Sequence, residues 1–163
     1  MTILLYIGGY GRSGSTLLET LAASCPRTVA CGEVAIAATR QIASPCTCGQ
    51  PYETCRLWGT LLTPERPPGS WSHEALTIAL REQIKDQDAI LIDSSKTAWG
   101  SLSKPFKFPR RLRSEFKLIH LVRDPHGVCW SNVTGRRRRK GKLLPNIENS
   151  PRRYVRHGRT LLG

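Results

Sequence analysis

The sequence has no long apolar run. None of its hydrophobic stretches approaches the roughly 20 residues that a helix needs to cross a bilayer. The N-terminus also lacks the basic start and the apolar stretch of a secretory signal peptide. These absences predict a protein that does not enter the membrane, and we expect it to be cytoplasmic.

Acidic residues are scarce: 12 Asp and Glu stand against 25 Lys and Arg, for a net charge of +13. Most of the excess lies at one end, since residues 136–163 hold ten basic residues and one acid. The basic C-terminal segment, 133–163, is therefore expected either to meet phosphates or another anion, or to be a solvated surface. A nucleic-acid-binding module is an alternative function, but aromatic residues that stack on bases are sparse around 136–140, so nucleic acid is not the expected partner.

The 163 residues are the size of one domain, and 39% of them are hydrophobic, as in ordinary globular proteins. Short apolar runs predict strands at Ile3–Ile7, Thr28–Cys31, Ala89–Ile92 and Lys117–Val122. Helical patterns lie between them at Ser15–Ala23, Val34–Ile42 and Ser72–Lys85. This alternation predicts an α/β fold, a parallel sheet with helices on both faces, while the five prolines and three cysteines of 43–69 indicate an irregular insertion.

A glycine-rich turn connects the first predicted strand to the first helix. It reads Gly8-Gly9-Tyr10-Gly11-Arg12-Ser13-Gly14-Ser15-Thr16. Glycines let the backbone approach a ligand, and free N–H groups at a helix start favour negative charge. We therefore predict that an anion, phosphate or a close relative, is bound by Gly11, Arg12, Ser13, Gly14, Ser15 and Thr16.

One lysine is missing from this turn. Gly9 to Thr16 has the spacing of a Walker A loop, but the position of the Walker lysine is Ser15. A serine cannot reach the β and γ phosphates as that lysine does, so triphosphate chemistry is disfavoured. A P-loop kinase or nucleotide hydrolase remains the main alternative, because Ile90–Asp93 resembles a Walker B strand that ends in a magnesium-binding acid.

A second candidate site follows the last predicted strand, which stops at Arg123-Asp124-Pro125, with a helix predicted at 126–132. Ligands of open α/β sheets lie at the carboxyl ends of the strands, and Ser131 comes about two helical turns after Arg123. Arg123 and Ser131 are therefore predicted to converge on one anion. His120, inside the apolar strand, is interpreted as a structural core residue.

Together, Gly-Arg-Ser-Gly-Ser-Thr-Leu-Leu near the start and Leu-Val-Arg-Asp-Pro-His-Gly-Val-Cys-Trp-Ser at 121–131 resemble the two cofactor signatures of PAPS-dependent sulfotransferases. The resemblance implies that the first loop holds the 5'-phosphosulfate of 3'-phosphoadenosine 5'-phosphosulfate. It also implies that Arg123 and Ser131 hold the 3'-phosphate. Adenosine 3',5'-bisphosphate should then bind better than ATP.

Two further segments extend this resemblance. Cys31-Gly32-Glu33 is similar to the Cys-Gly-Glu of tyrosylprotein sulfotransferases and bacterial relatives, which makes Glu33 the implied catalytic base. Asp93-Ser94-Ser95-Lys96 resembles the segment with a lysine near the transferring group, and Lys96 and Arg12 are the implied stabilising cations. The acceptor would be a small-molecule, carbohydrate or peptide hydroxyl, and no metal is expected. Family members usually continue past this point with another strand and a glycine-rich loop, so a C-terminally shortened P-loop-type sheet is expected.

The six cysteines are expected to be reduced thiols. Cys46, Cys48 and Cys55 could give three thiolates to zinc, with His73 or Cys31 as the fourth ligand. Their Cys-x-Cys-x6-Cys spacing matches no common four-ligand pattern, so a disulfide or three free thiols is favoured. The segment from Cys46 to Trp58 is also similar to bacterial members of the family.

Overall fold

The computed structural model describes residues 2–39, 46, 48–86, 88–96 and 115–131. Internal contacts divide the chain into two units, Met1–Leu121 and Val122–Gly163, and each is described by itself. The predicted basic segment 133–163 lies outside the described residues, as do 43–45 and 47 of the predicted insertion.

The first unit is built on a sheet of four parallel strands, β1 (Ile3–Gly9), β2 (Thr28–Ala30), β3 (Ile90–Asp93) and β4 (Glu115–Leu121). Their order across the sheet is β2-β3-β1-β4. β1 therefore pairs with two neighbours, and its Ile3 lies opposite both Ile90 and Glu115. The predicted α/β fold with a parallel sheet is confirmed.

Three helices connect the strands: α1 (Ser15–Ala23), α2 (Val34–Thr39) and α3 (His73–Gln83). The hydroxyl of Ser72 caps α3 by accepting from the N–H of Ala75 at 3.0 Å, as expected of a serine just before a helical pattern. Residues 40–42, predicted as the end of α2, lie outside the described residues. The predicted insertion, 43–69, is called the cysteine-rich segment below. Its described residues, 46 and 48–69, include a short 3-10 helix at Tyr52–Thr54.

The helices lie on both faces of the sheet. Side chains of a strand alternate between the faces, and on one face Leu4, Tyr6 and Leu91 share a hydrophobic core with α2 and α3. At the end of β3, the side chain of Asp93 is hydrogen-bonded to that of His73 on α3. The hydroxyl of the next residue, Ser94, donates a hydrogen bond to Glu19 on α1. α1 thus covers the face opposite α2 and α3.

The cysteine-rich segment contributes to the same core. Cys46, Cys55, Trp58 and Leu62 are buried in one cluster with side chains of β1, α2 and α3. Trp58 is among the largest fully buried side chains. The described part of this segment is therefore packed on the sheet through its apolar residues, which fixes where its three cysteines lie.

In the second unit, the described residues 122–131 form a short connection followed by a helix at 125–131. The carboxylate of Asp124 accepts from the N–H groups of His126 at 3.4 Å and Gly127 at 3.3 Å. Asp124 thus caps this helix, which starts at Pro125, a residue whose missing N–H costs nothing in the first turn.

Candidate functional site

The glycine loop after β1 needs glycine at two positions. Gly9 has a φ of +133°, and a Cβ there would lie 2.5 Å from the carbonyl oxygen of Leu121 at the end of β4. Gly14 has a φ of +101° and stands directly before α1. Glycine takes both conformations without the strain that a side chain would bring. The loop therefore leaves β1 in close contact with β4 and enters α1 through a left-handed turn.

Arg12 has a left-handed backbone, with a φ of +73°. Such a conformation costs a residue with a side chain about 1–2 kcal/mol. Strained residues of this kind concentrate at ligand-binding turns. The strained position in the loop is thus also the position of its predicted cation.

The start of α1 directs backbone donors to the loop. Gly14 offers no side-chain cap, and the N–H of Leu18 makes the first bond into the helix, to the carbonyl of Gly14 at 3.0 Å. The N–H groups of Ser15, Thr16 and Leu17 precede that bond, so the helix provides them no acceptor, and they lie at the positive end of its dipole. Ser15, at the Walker lysine position, is buried.

The structure brings the predicted Glu33 and Lys96 together as an ion pair between Nζ and Oε1. Glu33 lies between β2 and α2, and Lys96 lies three residues after β3. Their side chains are 32% and 13% exposed, so both remain partly open to solvent. Because the strands are parallel, their carboxyl ends lie on the same side of the sheet. The ion pair and the glycine loop both follow these carboxyl ends, which is where ligands bind in open α/β folds.

Tyr6 positions Lys96. Its hydroxyl donates to the carbonyl of Lys96 at 2.8 Å, and Lys96 has a left-handed backbone with a φ of +65°. Burial raises the pKa of Tyr6, and the charges of Asp93 and Glu33 raise it further. The hydroxyl therefore keeps its proton and serves as a donor.

Ser95 positions Glu33. The Oγ of Ser95 accepts from the N–H of Ala35 at 2.8 Å, so a residue after β3 caps the start of α2. The preceding residue, Ser94, donates its N–H to the carbonyl of Gly32 at 2.9 Å. Both bonds tie the segment that holds Glu33 to the segment that holds Lys96.

Glu19 of α1 is a buried acid that sequence reasoning missed. Its Oε1 accepts from the N–H of Gly32 at 2.5 Å, and its Oε2 accepts from the hydroxyl of Ser94 at 2.6 Å. Burial raises the pKa of Glu19, although the two hydrogen bonds oppose the rise. An acid four residues after Ser15, on the side of α1 that meets the sheet, was the available signal.

Asp93 lies where the kinase alternative places a magnesium ligand. It is fully buried, and its Oδ2 lies 2.6 Å from Nε2 of His73. Its Oδ1 accepts from the N–H of Ser95 at 2.8 Å and from the Ser95 hydroxyl. Both oxygens thus have internal partners, which weighs against a magnesium role. The Nε2 of His73 is hydrogen-bonded to Asp93, and this contact weighs against His73 as a zinc ligand.

The sulfur atoms of Cys46, Cys48 and Cys55 converge, all within 4.8 Å of one another, and the three cysteines are free thiols. Burial raises the pKa of Cys46 to about 11. The N–H of Gln50, followed by the Cys46 thiol, lowers the pKa of the exposed Cys48. Cys31, the other proposed fourth ligand, lies outside this group of sulfurs, and burial raises its pKa.

The predicted pair Arg123 and Ser131 belongs to the second unit. Arg123 lies in the connection before the helix at 125–131, and Ser131 lies in that helix. The guanidinium of Arg123 lies against Gly127, where a Cβ would be 3.0 Å from Nε. The pKa of Asp124 is lowered by hydrogen bonds, chiefly from His126. Convergence of Arg123 and Ser131 with the glycine loop stays a prediction.

His120 was interpreted as a core residue, and this was wrong. It is exposed on β4, which has β1 on one side and is an edge strand among the described strands. An edge strand leaves part of its surface open, so an apolar sequence around a histidine does not require its burial.

Comparison of the chain with protein-family models, with curated proteins and with solved structures gave no match in any of the three. Within the described residues, no helix is both long and apolar enough to cross a membrane. The function is therefore inferred from the sequence motifs and from the geometry of the groups at the carboxyl ends of the strands.

Proposed function

We propose that this protein is a PAPS-dependent sulfotransferase, which moves a sulfonyl group from 3'-phosphoadenosine 5'-phosphosulfate to an acceptor hydroxyl. The observation that carries the proposal is the ion pair of Glu33 and Lys96, which follows the carboxyl ends of the strands, as the glycine loop does. A carboxylate that accepts a proton and an ammonium that stabilises an oxyanion are the two groups this transfer needs.

The glycine loop and α1 are the proposed binding site for the 5'-phosphosulfate. Gly11, Arg12, Ser13, Gly14, Ser15 and Thr16 supply it with backbone N–H groups, hydroxyls and one guanidinium. The fold is then a P-loop-type sheet. Arg123 and Ser131 are the proposed ligands of the 3'-phosphate.

In the proposed reaction, the acceptor oxygen forms a bond to sulfur while the bond from sulfur to the phosphate oxygen breaks. Glu33 takes the proton of the acceptor hydroxyl, and Lys96 and Arg12 stabilise the charge that develops on the leaving phosphate and the sulfonyl oxygens. The scheme uses no metal. A small-molecule, carbohydrate or peptide hydroxyl is the proposed acceptor, and the cytoplasm is the proposed location.

Isothermal calorimetry with adenosine 3',5'-bisphosphate and with ATP tests the nucleotide class. We expect the bisphosphate to bind more tightly. Arg12→Ala and Arg123→Ala should each weaken it by at least about 10-fold, because each removes a charged hydrogen bond to phosphate. Arg27→Ala is the matched control, since Arg27 is exposed and pairs with Asp88 at 3.4 Å.

Transfer of radiolabelled sulfate from the donor to a panel of phenolic and sugar hydroxyls tests the reaction. Glu33→Gln should lower the turnover at least about 100-fold with little change in nucleotide affinity. Tighter binding of ATP than of the bisphosphate, together with ATP hydrolysis, would instead support the kinase or hydrolase alternative. Full turnover by Glu33→Gln would exclude Glu33 as the base.

A further inference from the structure

We propose that Cys46, Cys48 and Cys55 bind a zinc ion that fastens the cysteine-rich segment to the core of the first unit. The proposal is independent of the sulfotransferase assignment, because it concerns no group of the proposed reaction. It rests on the spacing of the three sulfurs, on the turn that presents them and on the chemistry of thiolate ligands.

Two of the three sulfur spacings match those of a tetrahedral zinc site, and the third is below 4.8 Å. Sγ of Cys55 lies 3.7 Å from that of Cys48 and 3.5 Å from that of Cys46. Three sulfurs that each lie about 2.3 Å from a zinc ion, at tetrahedral angles, are about 3.8 Å apart. Little movement is therefore needed to place an ion at the centre of the three.

A tight turn presents the first two cysteines. The N–H of Gly49 donates to the carbonyl of Cys46 at 2.8 Å, and Gly49 has a φ of +86°, which favours glycine. The N–H of Cys46 in turn donates to the carbonyl of Gln50 at 2.9 Å, so two backbone hydrogen bonds close the turn.

The third cysteine comes from the apolar part of the segment. Cys55 is buried and its carbonyl accepts from the N–H of Trp58 at 3.1 Å, while Trp58 is almost fully buried in the core. A zinc ion held by all three cysteines would link the exposed turn at Cys48 to this anchored part. Its role would be structural, as a clamp on the segment between α2 and α3.

Thiolates are soft ligands that select zinc over magnesium or calcium. On binding, the three thiols release their protons to solvent, so the complex carries one net negative charge. Among the described residues, only these three offer sulfur, imidazole or carboxylate ligands in the group, and residues 40–45 and 47 contain no Cys, His, Asp or Glu. The three sulfurs thus leave the fourth coordination position to water or to a group outside the described residues.

A disulfide is the competing chemistry. A bond between two of these cysteines requires their sulfurs to be about 2.05 Å apart, so Cys46 and Cys55, for example, would have to approach from 3.5 Å. It would also leave the third cysteine unpaired. The convergence of all three sulfurs within 4.8 Å of one another favours a shared metal ion over a bond within one pair.

The test is the zinc content of the full-length protein, purified under reducing conditions, exposed to zinc and dialysed against metal-free buffer. We expect elemental mass spectrometry to find one zinc ion for each chain. Cys48→Ser should weaken zinc binding at least about 100-fold, since loss of a ligand exceeds loss of a group that only orients one. Cys48 is exposed, so this variant should fold. Cys25→Ser, at another exposed cysteine, is the matched control and should keep its zinc.

Substitution with cobalt gives a second readout. The intact protein should show the near-ultraviolet absorption of cobalt bound to thiolate, and each of Cys46→Ser, Cys48→Ser and Cys55→Ser should reduce it, whereas Cys31→Ser should leave it unchanged. Absence of stoichiometric zinc from the folded protein would overturn the proposal. A native mass that is lower by two hydrogens, which marks a disulfide, or equal zinc content in the wild type and Cys48→Ser would do the same.

Discussion

The hydroxyl of Tyr6 donates to the carbonyl of Lys96 at 2.8 Å, so a residue inside β1 fixes the backbone of a residue beyond the end of β3. Tyr6 is almost fully buried, and its ring lies 6.3 Å from that of His73. Lys96 in turn makes the ion pair with Glu33. A buried phenol thus positions one of the two charged groups of the candidate site.

Tyr6→Phe removes this donor and leaves the ring in place. We expect the free energy of unfolding to fall by about 1–3 kcal/mol, because the Lys96 carbonyl loses a buried partner. Urea denaturation followed by circular dichroism measures the change. Tyr52→Phe, at a half-buried tyrosine, is the control and should cost less than half as much. Equal losses in the two variants would contradict this role of Tyr6.

Lys96→Ala and Lys96→Gly separate the ammonium from the backbone. Both remove the charge, but only glycine relieves the left-handed conformation at a φ of +65°. Lys96→Gly should therefore be about 1 kcal/mol more stable than Lys96→Ala in urea denaturation. Both should reduce sulfonyl transfer to a similar extent, by at least about 100-fold. Retained transfer in Lys96→Gly alone would show that the backbone, and not the ammonium, matters.

Glu19 should make stability depend on pH. Because burial raises its pKa above 4.5, the folded protein binds this proton more tightly than the unfolded chain. Its contribution to stability is therefore full below pH 4.5 and is lost as the pH rises through the raised pKa. Glu19→Gln should remove this fall, which urea denaturation between acid and neutral pH would measure.

Glu82→Gln, at an exposed position on α3, changes the net charge equally and is the control for Glu19→Gln. Its stability should keep the pH dependence of the wild type. Glu19→Ala, which also removes the acceptor for the N–H of Gly32, should lose about 1–3 kcal/mol at neutral pH. An unchanged pH profile in Glu19→Gln would show that Glu19 titrates alike in the folded and unfolded chains.

Gly9 and Gly14 should differ in their tolerance of a side chain. Gly9→Ala places a Cβ 2.5 Å from a backbone oxygen of β4, whereas a Cβ at Gly14 meets nothing within 4 Å. We expect a loss of about 3 kcal/mol or more for Gly9→Ala, from overpacking and strain, and about 1–2 kcal/mol for Gly14→Ala, from strain alone. Thermal unfolding of both variants checks the order, and a larger loss at Gly14 would contradict it.

The strands and helices could be predicted closely because their signals are local. Ser15–Ala23 was predicted with the observed bounds, and Ser72, the first residue of the third predicted helix, is the cap of α3. The ends of the strands shifted by one or two residues, since pairing with neighbours decides where a strand stops. The predicted residues Glu33 and Lys96 were found in contact, but their ion pair was not foreseen.

Burial on α1 could not be predicted in the same way. Leu17 and Leu21 are 66% and 60% exposed, while Glu19 is buried. The apolar character of the helix favours the opposite arrangement. Glu19 is buried because Gly32 and Ser94, which follow β2 and β3, place donors beside it. Those donors come from segments far away in the sequence.

The sequence by itself determined the alternation of strands and helices, the glycine turn and the charged residues at the strand ends, because each depends on backbone preferences and hydrophobic patterns within a few neighbouring residues. The tertiary structure alone decided which of these groups meet: Glu33 with Lys96, Tyr6 with Lys96, Glu19 with Ser94, and the three cysteines with one another. The physical reason is that parallel strand order brings together segments that are distant along the chain, and no local pattern specifies that order.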